Sequence, residues 1–66
     1  MQFQISFHRL GRVHQLSCDD QMTALILYDT LRCQTSNSDI EVLENPNCEN
    51  AKWVHEEFER EINADA

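Results

Sequence analysis

The stretch Asp19–Cys33, DDQMTALILYDTLRC, is the longest run of helical apolar periodicity in the chain. At about 100° per residue, Ala24, Leu27, Tyr28 and Leu31 fall on one side, with Leu25 at the margin. Met22, Ile26 and Cys33 fall roughly opposite. Thr23 and Thr30 lie between the stripes on one flank, Gln21 and Arg32 on the other. One apolar stripe is what a helix needs to cover a small sheet. A helix apolar on two sides is normally buried on both. Two readings follow: the C-terminal segment folds over Met22 and Ile26, or another chain does.

The helix start is marked by Ser17 as a cap, with Asp20 three residues on completing a capping-box pattern. Asp19 and Asp20 suit the positive end of the helix dipole, and Arg32 suits the negative end. The run ends in Gln34–Ser38, a polar connection without Gly or Pro.

Before this helix, Gln2–Arg9 alternates Phe3, Ile5 and Phe7 with polar residues, the pattern of a half-buried strand. Gly11, the only glycine, follows it, and a hairpin turn is expected there. Val13–Ser17 is the return strand. Val13 and Leu16 are out of phase in it, which a bulge would reconcile. After the helix, Asp39–Leu43 reads as a third strand, expected as a crossover parallel to one hairpin strand. Glu44–Asn47 is a turn around Asn45-Pro46.

Ala51, Val54, Phe58 and Ile62 recur at helical spacing, with Asn50 as a cap, so a last helix is expected over 51–63. Trp53 then falls off its apolar stripe. The rival reading makes Lys52–His55 a fourth strand paired with Asp39–Leu43. The fold expected is a small α+β domain over 1–63, ββαβα, with 64–66 a frayed acidic end. Its core is Ala24, Leu27, Tyr28 and Leu31 against Phe3, Ile5, Phe7, Ile40 and Val42.

A chain of 66 residues makes one domain with a small core, so self-association is a natural source of further burial. The net charge of −7 argues against direct nucleic-acid binding, which needs a basic footprint. The charge is uneven. Residues 1–38 balance Asp19, Asp20 and Asp29 against Arg9, Arg12 and Arg32, and residues 39–66 set nine acids against Lys52 and Arg60. Such asymmetry steers towards a basic partner or simply solvates one end. No run is long and apolar enough for a bilayer, and the alternating N-terminus does not read as a secretory leader. A cytoplasmic location without membrane attachment is expected.

Chemistry is poorly served. Cys18, Cys33 and Cys48 are odd in number and form no CxxC pair, so neither a disulfide framework nor a zinc finger is indicated. His8 and His14, facing across the hairpin, are the one plausible metal pairing, and a small His/Cys metal protein is an alternative reading. Cys18 at a helix start would have a lowered thiol pKa, but Asp19 and Asp20 push it back up. No base-and-orienter pattern accompanies any nucleophile. No catalytic, cofactor or metal residues are assigned, and the expectation is a protein without enzyme activity.

Glu49, Glu56, Glu57, Glu59, Glu61 and Asp65 crowd one short segment. They form either a solvated helix face or a carboxylate array resembling a phosphate backbone. The second suits a nucleic-acid-mimicking inhibitor of a basic protein, of phage or mobile-element anti-defence type. Trp53 among them has the character of an interaction hot spot. The order of hairpin, helix, strand and acidic tail is similar to small accessory proteins of bacteria and their phages, a likeness that rests on no motif. The function expected is a small acidic protein-binding module of regulatory, accessory or inhibitor type, acting as a homodimer or docked on a larger, possibly basic, protein. Its expected contacts are Met22, Ile26 and Trp53, with Glu56, Glu57, Glu59 and Glu61 as the charged rim.

Overall fold

The structure is a computed structural model and describes residues 1–64, so Asp65 and the end of the expected frayed terminus lie outside it. The elements are β1 (Phe3–Arg9), β2 (Arg12–Cys18), α1 (Gln21–Arg32), β3 (Asn37–Glu44), β4 (Lys52–Trp53) and α2 (His55–Ala64). They form an α+β domain in which one antiparallel sheet, ordered β2-β1-β3-β4, carries the helices on one face. Among the described residues, no helix is long and apolar enough to cross a membrane.

The alternation in β1 sends Phe3, Ile5 and Phe7 into the core, and Val42 of β3 joins them. Across β1 and β3, Ile5 faces Val42, so these two residues share the face under the helices. α1 contributes Ala24, Tyr28 and Leu31, and α2 contributes Phe58, preceded by Val54. Leu27 and Ile40, expected in the core, are only half-buried at its margin. Phe58 fills the space between sheet and helix. Its ring lies 5.9 Å from that of Phe3 and 6.0 Å from that of Tyr28, edge-on to the latter. Burying one such side chain is worth about 2–3 kcal/mol.

Leu10 and Gly11 both have positive φ, 52° and 77°, as a two-residue type I′ hairpin turn requires. The register from Phe3↔Cys18 to Arg9↔Arg12 is unbroken, so the bulge expected in β2 is absent. Val13 and Leu16 simply occupy opposite faces, Leu16 opposite the core residue Ile5 and Val13 opposite exposed His8. The irregularity lies instead between β1 and β3, where the register shifts between Ser6 and His8 and Asp39 takes a φ of 51°. Aspartate tolerates this left-handed backbone better than most residues.

Two further expectations are corrected, and a third holds. Ser17 does not cap α1, because the β2 ladder continues through Cys18, and Asp20 is the cap instead. The crossover expected through α1 is present, since β3 runs parallel to β2, but β1 lies between them and is the strand that β3 pairs with, antiparallel. The last helix does not begin at Ala51. Lys52 and Trp53 pair with Glu44 and Leu43 as β4, and α2 starts only at His55. Both rival readings of this segment therefore hold in part.

Candidate protein-docking surface

The site is built on α1, whose start is held by Asp20. Its carboxylate accepts the Thr23 N–H at 2.9 Å and the Thr23 hydroxyl at 2.7 Å. These bonds from Thr23 hold the Asp20 carboxyl below its ordinary pKa. At the other end Asn37 stands in for a glycine cap, its amide donating to the Leu31 carbonyl at 3.2 Å.

α2 is tied to α1 by one polar cluster. The Tyr28 hydroxyl donates to Glu59 at 2.9 Å, and Arg32 donates to the other oxygen of the same carboxylate. Arg32 also reaches Asp29 at 3.3 Å. The Arg32 guanidinium, and after it the Tyr28 hydroxyl, lower the Glu59 pKa. Burial, with the Glu59 hydrogen bond, pushes Tyr28 up to about 12. Glu59 is therefore an internal strut between the helices, a position that a sequence-level view of it as rim charge does not reveal.

Because this cluster sits on one flank of α1, α2 leaves the outward side of that helix bare. Met22 is 67% exposed and Ile26 59%. Together with Leu25, Asp29, Glu61 and Ile62 they line an open cleft of about 260 Å³ between the helices. Its floor is apolar, and both its ionisable side chains are carboxylates. Leu25 and Ile62 were not expected as site residues. The signal for Leu25 was its place between the stripes, which it joins on the side that α2 approaches.

Trp53 belongs elsewhere. It pairs with Leu43, which faces the exposed side of β1 through Gln4, so it lies on the sheet face turned from the helices. It is 57% exposed, with the His55 ring 6.0 Å away, and lines a second depression with Glu41, Glu56, Glu57 and Arg60. The structure thus divides the expected contact set in three: Met22, Ile26 and Glu61 in the cleft; Trp53, Glu56 and Glu57 around β4; Glu59 in the strut.

The expected histidine pairing is corrected. His14 lies opposite Phe7 and stacks on it at 5.3 Å, while His8 lies opposite Val13, so the two imidazoles occupy opposite faces. Among the described residues, no three His, Cys, Asp or Glu side chains gather as metal ligands would. Burial, reinforced by Asp20 and Asp19, raises the Cys18 thiol pKa. A raised pKa leaves less thiolate, the opposite of what a nucleophile needs. No protein-family model, curated protein or solved structure matches this chain.

Proposed function

We propose that this chain is a non-enzymatic acidic binding module that seats an amphipathic basic helix of a partner protein in the cleft between α1 and α2. The observation that carries this reading is the exposure of Met22 and Ile26 on a helix whose other apolar side packs on the core. A groove with apolar floor and anionic rim suits a helix whose apolar face enters it and whose Lys or Arg residues meet Asp29 and Glu61. The engagement of Glu59 with Arg32 and Tyr28 favours this reading over a carboxylate array imitating nucleic acid, because it takes one acid out of that array.

The test is titration with a synthetic amphipathic helix of Leu and Lys, and with its counterpart carrying Glu for Lys, followed by amide chemical shifts. The Lys peptide is expected to move the resonances of Met22, Leu25, Ile26 and Ile62, and to bind more weakly as salt rises. Met22→Glu or Ile26→Lys should each weaken it at least ~10-fold while the fold survives. Equal binding of both peptides, or shifts confined to the Trp53 face, would overturn the reading.

A further inference from the structure

Among the described residues, none pairs with the outer edge of the sheet along the seven residues of β2, Arg12–Cys18. Sheet edges are usually blunted by proline, a bulge, a charge at mid-strand or a covering helix. β2 has no proline and no bulge, its one charged side chain is Arg12 at the end, and all but Cys18 are exposed. Val13 is 62% exposed on one face of the strand, and Leu16 is exposed on the other.

The turn fixes which backbone groups point outward. Arg9 and Arg12 flank a two-residue turn and form its first hydrogen-bonded pair. The alternation of an antiparallel ladder then turns the N–H and C=O of Arg12, His14, Leu16 and Cys18 towards β1, and those of Val13, Gln15 and Ser17 away from it. The opposite phase on β1 agrees, since the Gln2 carbonyl accepts from Asn45 beyond the end of β3.

We infer that β2 pairs antiparallel with β2 of a second copy of this chain about a two-fold axis at Gln15, joining two sheets into one of eight strands. One observation and two consequences of this register select a second copy. First, the chain carries −7, yet residues 1–18 hold no carboxylate, so this is the edge at which two copies repel least. Second, with Gln15 opposite Gln15, Val13 meets Ser17, and every outward-facing N–H and C=O of the strand finds a partner. Third, this register sets Arg12 opposite Cys18 of the other copy, next to Asp19 of that copy, at both ends of the pair. The same patch on both chains is then self-complementary in charge, as a two-fold interface requires. A single strand pair buries less than a standard interface, so association depends on concentration. This inference is independent of the cleft, which lies on the helix layer.

Sedimentation over a concentration series, with amide hydrogen exchange, tests it. Dimer is expected to accumulate below about 1 mM, with the amides of Val13, Gln15 and Ser17 gaining protection as it forms. Those of His14, Leu16 and Cys18 should be protected throughout. Gln15→Pro removes an outward N–H and should weaken association at least ~10-fold with the monomer folded. Arg12→Glu and Asp19→Lys should each weaken self-association, and mixing the two variants should restore a heterodimer, because both ends of the mixed pair then match in charge. This exchange keeps the inference testable even if Gln15→Pro unfolds. A chain still monomeric at about 1 mM, a mixture that forms no heterodimer, or a dimer whose β2 amides exchange freely would overturn it. Loss of Lys-peptide binding in Met22→Glu with the dimer intact would strike only the cleft proposal, so the two fail separately.

Discussion

At one edge of the sheet, β2 presents seven residues of regular backbone with no acid among them. At the other, β3 is irregular at Asp39, pairs with the two-residue β4 and is closed by the start of α2. There Val42 has both outward groups occupied: its N–H donates to the His55 imidazole at 3.4 Å, and its carbonyl accepts the Val54 N–H at 2.9 Å. The chain spends its last third closing that edge and spends nothing on β2. In a domain this small, the segment that plugs one edge also supplies a share of the core, through Val54 and Phe58.

The largest way to break this contrast is Phe58→Ala. Emptying the space beside Phe3 and Tyr28 should cost about 3–5 kcal/mol, comparable with the whole stability of a domain this size. Urea denaturation is expected to find the variant largely unfolded in water. Next comes His55→Ala, which releases the Val42 N–H. A loss of about 1–2 kcal/mol is expected, with faster exchange at Val42 and unchanged behaviour at β2. If the β2 amides respond equally, the two edges are not independent.

The hairpin offers a change in the other direction. Leu10 sits at φ 52° in a turn that prefers Asn, Asp or Gly, and its side chain is exposed. Leu10→Asn should therefore raise stability by about 1 kcal/mol, read as a higher denaturation midpoint.

The smallest effects are in titration. Tyr28 is the only tyrosine, so its phenolate absorbance reports one group. Its pKa in the fold is about 12, so its contribution to stability is complete below about pH 10 and disappears as the pH rises towards 12. Glu59→Gln should bring the Tyr28 midpoint down, since the carboxylate is one cause of the shift. Glu59 has the opposite sign. Its pKa is lowered, so its contribution is present above the ordinary carboxylate range and is lost as acid carries the pH through the folded value.

Strict periodicity made β1, the Gly11 turn and α1 legible, and with them the exposed pair Met22 and Ile26. Features set by distant neighbours were legible only as a rival reading or not at all, the strand at Lys52 and Trp53 being the rival to a helix from Ala51. Lys52 and Trp53 become a strand only because Glu44 and Leu43 lie alongside, while the residues after them carry the composition of a helix. The strut role of Glu59 depends on Tyr28 and Arg32, which are far off in sequence. Asp39 gave no sign of a bulge, because aspartate suits many loop conformations equally. The phase of β2 was readable in principle: alternation carried through Ser17 and Cys18 would have moved the helix cap to Asp20.

The placement of β1 has a bearing on how the chain is made. It is made before the other strands, yet it ends in the middle of the sheet, between β2 and β3. Its hairpin partner follows at once, but Asn37–Glu44 emerges only after the whole of α1. During that interval Phe3, Ile5 and Phe7 have one flank zipped and the other idle, with Val54 and Phe58 still to come. Nascent copies on one message are then at greatest risk of cross-pairing, and slowing translation just before Asn37 should raise the aggregated fraction.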